Sequence, residues 1–267
     1  MTDDFFSTNR ALWNGWTAIH TRSAFYDVDA FRRGRSTLNA MELDELGPVA
    51  GKSMLHLQCH FGMDTLSWAR LGARVTGVDL SDAAIAQARA LAEETGIAAE
   101  FVAANVYDVP RAIGREFDIV FTSYGVLAWL PDLPRWGEII ARALRPGGTF
   151  YIVEFHPFAG VLGDDGATLA HPYFHSAEPL RVQASGSYAD PAAPFIHPSY
   201  EWTHSLADVV NALIAAGLTI EHLHEFLYSP YNCFPFVEER EPGTWVVKGG
   251  RMLPLVFSVR ATKGAEA

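Results

Sequence analysis

Leu55-His56-Leu57-Gln58-Cys59-His60-Phe61-Gly62-Met63-Asp64-Thr65 begins in a short apolar run, Ser53 to Leu57, and ends in a helical pattern. That pattern continues from Asp64 to Leu71 and stops at Gly72. A β-branched run, Arg74 to Val78, follows and ends at Asp79. Ser81 or Asp82 then reads as a helix N-cap, Ile85, Ala88 and Ala92 share one helical face, and Gly96 sits where a glycine closes a helix. Strand, turn, helix and strand in this order predict a β-α-β unit.

The alternation continues. Phe101-Val102 lies in a third strand and Phe117 to Phe121 forms a fourth. Pro134 opens a helix with Trp136, Ile139, Ile140, Ala143 and Leu144 on one stripe, Pro146-Gly147-Gly148 breaks it, and Thr149 to Phe155 is a fifth strand. Nearly continuous apolar strands between helices predict a parallel sheet buried on both faces. A second block, with Ser205 and Asp208 as a capping pair and Leu206, Val209, Val210 and Leu213 on one face, is closed by Gly217. Leu218 to Phe226 and Leu253 to Ala261 are the last strands.

Two segments lie outside the alternation. Residues 1–45 carry Phe5, Phe6, Trp13, Trp16, Phe25, Tyr26 and Phe31, which predicts a helical lid over a site or ordinary helix packing. Residues 157–203 hold many prolines and aromatics and read as an ordered, inserted cap. Residues 46–156 form the core and 204–267 complete its sheet. The predicted fold is α/β: a Rossmann-like, doubly wound, mostly parallel seven-stranded sheet.

The 267 residues are 49% hydrophobic and 19% charged, with 20 basic and 31 acidic residues and a net charge of −11. No basic run stands out, so nucleic acid and anionic membranes are disfavoured as partners. Two cysteines, Cys59 and Cys233, make no disulfide framework. The start lacks a signal-peptide pattern and no apolar run approaches a membrane span, so a soluble, cytoplasmic protein is expected, as a monomer or homodimer. His171 and His175 have H-x-x-x-H spacing, but Pro172 disfavours the helix that would pair them, and no metal site is expected.

In open parallel sheets, ligands bind at the carboxyl ends of the strands, beside a helix N-terminus. Asp79 ends the second strand, 17 residues beyond Gly62, where a carboxylate accepts hydrogen bonds from both hydroxyls of a ribose. A pyrophosphate needs G-x-G-x-x-G, and the nearest positions are Gln58, His60 and Met63. NAD and FAD are therefore disfavoured.

The ordered set resembles the class I S-adenosylmethionine (SAM)-dependent methyltransferases over residues 50–155. His56, Gln58, His60 and Gly62 occupy the acid and three glycines of that family's first motif, so only the last glycine is kept. Asp79-Leu80-Ser81 matches the ribose turn, Ala104 to Asp108 the adenine segment, Phe117 to Val120 with Ser123-Tyr124 the fourth strand and its exit, and Leu144-Arg145-Pro146-Gly147-Gly148 the turn before the fifth. A bacterial small-molecule subgroup has a similar L-x-C-x-x-G turn and aromatic lid. The resemblance implies SAM as cofactor, held by Gln58, Cys59, His60, Gly62, Asp64, Thr65, Asp79, Leu80, Asn105, Val106 and Ser123, with Asn105 on the adenine amino group.

Methyl transfer from a sulfonium is an in-line displacement that requires alignment and exclusion of water, and a base only where the acceptor loses a proton. Tyr124, Glu154 and His156 end strands that face the ligand crevice and are the acceptor-side candidates. His60 orients cofactor or takes part in chemistry. Cys59 is reactive or a small packing residue. The expected activity is methyl transfer to a small-molecule acceptor. A SAM-binding protein with a sensing or other role, and a protein methyltransferase, are the alternatives.

Overall fold

The computed structural model describes residues 2–265. Three helices come first: α1 (Thr2–His20), α2 (Val28–Arg32) and α3 (Ala40–Leu46). The alternating core follows as β1 (Ser53–Leu57), α4 (Met63–Arg70), β2 (Arg74–Asp79), α5 (Asp82–Thr95), β3 (Glu100–Ala103), α6 (Val109–Ala112), β4 (Phe117–Ser123), α7 (Leu133–Ala143) and β5 (Leu144–Phe155). A short α8 (Pro157–Val161) leads to β6 (Leu180–Ser185) and β7 (Ile196–Glu201). The chain ends with α9 (Leu206–Ala215), β8 (Leu218–Phe226), β9 (Tyr228–Ser229), β10 (Val237–Glu241), β11 (Thr244–Val247) and β12 (Val256–Lys263).

The main sheet has seven strands in the order β3-β2-β1-β4-β5-β12-β8. Neighbours from β3 to β5 are parallel, and β12 runs antiparallel to both β5 and β8. Strand order reverses between β1 and β4, so their carboxyl ends flank a crevice. One face packs Leu55, Leu57, Val120, Phe150 and Ile152 against Trp136, Ile140 and Leu213 of α7 and α9. The other packs Met54, Phe121, Tyr151 and Val153 beneath α3 and α4, with Met41, Leu46 and Trp68. Burial on both faces is why these strands are apolar at successive positions.

Local signals set the helix limits. The Ser81 hydroxyl accepts the Ala84 N–H at 3.0 Å, and Gly96 closes α5 with φ 67°. Ser205 and Asp208 cap α9 reciprocally, each side chain accepting the other's backbone N–H. Several limits differ from the sequence reading; the last strand, expected over Leu253 to Ala261, runs from Val256 to Lys263, the span that pairs with β8. Asp132 caps α7, so the helix starts at Leu133 and Pro134 takes its second position. β5 starts at Leu144 rather than Thr149, because Leu144 pairs with Phe117 before a register shift resumes the ladder at Thr149.

β6 and β7 form an antiparallel hairpin, with Leu180 opposite Glu201 and Ser185 opposite Ile196. It lies along α1. Asn9 Nδ2 donates to the Tyr200 carbonyl at 2.8 Å, and Asn9 Oδ1 accepts the Tyr200 N–H at 2.9 Å. Trp16 Nε1 donates to the Gly186 carbonyl at 2.8 Å. The Phe195 ring occupies the space where a Cβ on Gly15 would stand. A small three-stranded sheet, β10-β11-β9, is inserted between β8 and β12, where the sequence reading placed no elements.

α7 and α9 approach closely at Gly137, where a Cβ would stand 2.5 Å from the Ala212 carbonyl oxygen. That obstacle is backbone and cannot rotate aside. Gly137→Ala is therefore expected to cost about 1–3 kcal/mol of stability, read as a lowered thermal midpoint. An unchanged midpoint would mean that the helices separate freely here.

Candidate active site

The turn after β1 keeps an unusual backbone. Gln58 has φ 55°, His60 φ 50° and Gly62 φ 81°. Non-glycine residues in this region carry strain of order 1–3 kcal/mol each. The chain thus retains glycine-like conformations at two positions that hold large side chains. Gly62 and Gly77 leave room for the Phe101 ring, which a Cβ on either would meet at 2.7 Å. Cys59 is buried beside Gly77, and burial pushes its thiol well up, which leaves it a packing residue.

Asp79 ends β2 against this turn. Its Oδ2 accepts the His60 N–H at 2.8 Å and its Oδ1 the Ser81 N–H at 2.8 Å. Burial raises its pKa to about 6 against these favourable bonds. Each oxygen keeps an open lone pair, as a ribose diol requires. Leu80 is half-buried in the same turn. Asn105 Oδ1 accepts the Tyr107 N–H at 3.1 Å, while Val106 is buried. At the acid position, His56 is buried and bonded to Thr65 Oγ1 at 2.8 Å, and burial lowers its pKa to about 3. A neutral imidazole therefore stands where the resemblance places an acid.

α1 roofs the turn. Asn14 Oδ1 accepts the Ser81 hydroxyl at 2.6 Å, and Asn14 Nδ2 donates to Asp82 at 2.9 Å. Trp13 packs edge-on against His60 and Trp129 with centroids 5.2 Å apart in both pairs. His20 Nδ1 and His60 Nε2 are 2.7 Å apart. Burial lowers the pKa of His20 to about 3 and holds that of His60 well below its ordinary value, with His20 adding to the latter shift, so both rings are neutral. Whichever tautomers they adopt, one end of the pair is a free donor and the other a free acceptor. Those ends, His20 Nε2 and His60 Nδ1, are buried without partners, as is Gln58 Oε1. Unpaired buried polar atoms are costly and point to a ligand that supplies partners. Open donors and acceptors, with a carboxylate beside them, fit a nucleoside.

A second polar group adjoins the turn. Asp64 accepts from the Thr37 hydroxyl at 2.6 Å and from Ser123 at 3.4 Å. Glu42, fully buried, accepts the Asn39 N–H at 2.6 Å and the Tyr124 hydroxyl at 3.0 Å. Asn39 also donates to Tyr231 Oη at 3.1 Å, and the Tyr124 and Tyr231 rings lie 5.0 Å apart. Tyr26 and Tyr188 pair through their hydroxyls nearby. Tyr124 itself has φ 43°. Burial raises Glu42 to about 7 and holds Tyr124 well above its usual range, with the Glu42 charge adding to the latter shift.

The other two acceptor-side candidates share no side-chain hydrogen bond with this group. Glu154 accepts backbone N–H groups from Gly125, Val126 (2.7 Å), Leu127 (3.2 Å) and Phe155 (2.6 Å). His156 caps α8, accepting the Phe158 N–H at 3.1 Å, and its Nε2 lies 2.8 Å from Glu225. Both carry backbone structure. Of the three, only Tyr124 joins the polar group by the turn. Sequence reasoning missed Asn14, His20 and Glu42. Asn39-x-x-Glu42 has capping-box spacing, a signal that was available; Asn14 and His20 had none.

His171 and His175 belong to no group of three potential metal ligands among the described residues. A surface groove of about 810 Å³ lies at the opposite end of the sheet, lined by Ser53, Arg74 and Arg115 among others. Its Arg115 and Arg145 are already paired with Glu100 and Asp118. Among the described residues, no helix is long and apolar enough to cross a membrane.

Comparison with known proteins agrees with the geometry. Residues 55–152 match the family described as Methyltransferase domain. The ubiquinone biosynthesis O-methyltransferase of Xanthomonas oryzae pv. oryzae (strain PXO99A) is 30% identical over 227 residues, 83% of each chain. That of Methylobacterium sp. (strain 4-46) is 36% identical over 110 residues, which span 40% of this chain and 43% of that one. A SAM-dependent methyltransferase structure from Mesorhizobium loti superposes with TM-score 0.54 at 24% identity, covering 84% of this chain and 99% of that one, a likeness of fold.

Proposed function

Because the chain belongs to the class I SAM-dependent methyltransferases and is an enzyme that uses SAM, we propose that its acceptor is a small, uncharged molecule methylated at a hydroxyl oxygen. The observation that carries this reading is the Tyr124–Glu42 pair, a phenol bonded to a fully buried carboxylate of pKa about 7. Bound SAM supplies a methyl group already activated by its sulfonium charge. The chain's part is to hold, orient, dry and deprotonate.

Asp79 would hold the ribose, Gln58, His20 and His60 would supply partners to the nucleoside, and Asn105 would bond the adenine. Asp64, Thr65 and Ser123 would hold the methionine end, and Gly62 would let the backbone come close to it. An acceptor hydroxyl donating to Tyr124 Oη passes its proton equivalent along the existing bond to Glu42 Oε2 as the oxygen attacks. A base of pKa near the working pH is suited to that task. The acceptor-side groups are carboxylates and phenols, with no Lys or Arg among the hydrogen-bonded set, so an anionic acceptor lacks a partner there. The roof of α1 and its hairpin favours a small acceptor over a protein chain. The O-methyltransferase names of the relatives support oxygen as the acceptor atom.

Activity on a panel of phenols and catechols tests the reading. kcat/KM is expected to rise tenfold per pH unit below about 7 and then level, as Glu42 ionises. Glu42→Gln is expected to lower kcat by about 10²–10⁴-fold and remove that limb while SAM affinity stays within a few-fold. An unaltered pH profile in Glu42→Gln would discard Glu42 as the base.

A further inference from the structure

Away from the turn, on the sheet face beneath α3, Glu45 stands over two histidines of β8. His222 and His224 are two residues apart on one face of the strand, and their rings stack with centroids 4.3 Å apart and planes 9° apart. Glu45 Oε1 lies 2.6 Å from His224 Nδ1, and Glu45 Oε2 lies 3.7 Å from His222 Nε2. The three potential ligand atoms fall within 4.8 Å of one another. We propose that Glu45, His222 and His224 bind a divalent cation of the zinc class, which fastens α3 to β8.

Three observations support the site. First, the donor set is two imidazoles and one carboxylate, a combination that Zn2+ accepts with a water in the fourth position. Ligands at about 2.0–2.1 Å from a tetrahedral metal stand about 3.3 Å apart, so small side-chain rotations close the present group around an ion. Second, His222 Nε2 is buried and has no hydrogen-bond partner, since the carboxylate 3.7 Å away is beyond reach. A metal would satisfy that nitrogen and the other two donors together, whereas a second imidazolium stacked on the first would be repelled by it. Third, the ligands are supported from behind. The Tyr151 hydroxyl donates to Glu45 Oε2 at 2.8 Å, orienting the carboxylate. The nearest cation, Arg260, is engaged by Glu221 and by the backbone carbonyls of Glu45 and Leu46, and the remaining charge favours a cation.

Placement gives the site a consequence. Glu45 is one helical turn from Glu42, so an ion at Glu45 steadies the helix that presents the base assigned above; this link, unlike the metal site, rests on that assignment.

The test is direct titration of chelator-stripped protein with ZnCl2, independent of methyl transfer. One equivalent is expected to bind in calorimetry and to raise the thermal midpoint, since an ion that binds only folded protein stabilises it. Co2+ is expected to give the visible absorption of a four-coordinate site. His224→Ala and Glu45→Gln should each weaken binding by more than about tenfold, the loss that removing even an outer partner of a metal ligand causes. His171→Ala should leave it unchanged. Circular dichroism checks that each variant is folded. Zn2+ binding by His222→Ala/His224→Ala equal to that of the unaltered protein overturns the site, as does an absence of binding in the unaltered protein. An intact metal site in a protein whose Glu42→Gln variant keeps its pH profile would separate this inference from the assignment of the base.

Discussion

Asp79→Ala is expected to weaken binding of S-adenosylhomocysteine at least about tenfold in titration calorimetry. A carboxylate that accepts a ribose hydroxyl on each oxygen makes two charge-assisted bonds, each worth about 1.5–3 kcal/mol. Asp79 is placed for this by the His60 and Ser81 N–H groups, which fix both oxygens. Affinity should also fall with acid. Burial raises the pKa of Asp79 from 3.8 to about 6, so the ionised form that best accepts the hydroxyls is lost as pH falls below about 6. The ligand-free protein responds in the opposite sense. Between pH 3.8 and about 6 the folded state binds a proton at Asp79 that the unfolded state releases, so this group adds stability as pH falls through that window. Affinity and ligand-free stability moving in the same direction over that range would contradict the assignment, as would an Asp79→Ala variant that binds normally.

The second large effect is on stability. Glu154→Ala is expected to cost about 3–5 kcal/mol, measured by chemical denaturation, because it strips the acceptor from four N–H groups in and beside a buried loop. The loop, Gly125 to Leu127, carries the chain from β4 to Trp129, whose ring packs on Trp13 and Trp16 of α1. On this reading Glu154 acts on the site through backbone position. A Glu154→Ala protein of unaltered stability and abolished turnover would instead make Glu154 a participant in the chemistry.

The core was legible because parallel strands buried on both faces leave unbroken apolar runs such as Phe117 to Phe121, and because caps such as Ser81, Gly96 and the Ser205–Asp208 pair act within one turn of their own helix. The place of Asp79 was legible for a similar reason: it stands at the end of β2, against the turn after β1. The hairpin β6–β7 and the sheet β9–β11 were not. Their strands are short and sit in stretches rich in proline, glycine and charge; β10 reads Val237-Glu238-Glu239-Arg240-Glu241 with four exposed positions. The reach of Glu42 to Tyr124, of Asn14 to Ser81 and of His20 to His60 spans 82, 67 and 40 residues, and contacts of that range are decided by packing rather than local pattern. The left-handed backbone at Gln58 and His60 ran against residue type altogether. There, the surrounding structure outweighs the preference of the side chains for negative φ.

The bonds of α1 couple parts of the chain that lie far apart in sequence. Asn9 and Trp16 tie the helix to the hairpin, and Asn14 ties the same helix to the ribose turn. A displacement of α1 from the turn must therefore break or carry along the hairpin's bonds as well. Asn9→Ala, far from any reacting atom, is therefore expected to loosen the roof over the turn and to change the rate of product release, read in pre-steady-state turnover; an unchanged release rate would mean that the roof does not gate the site.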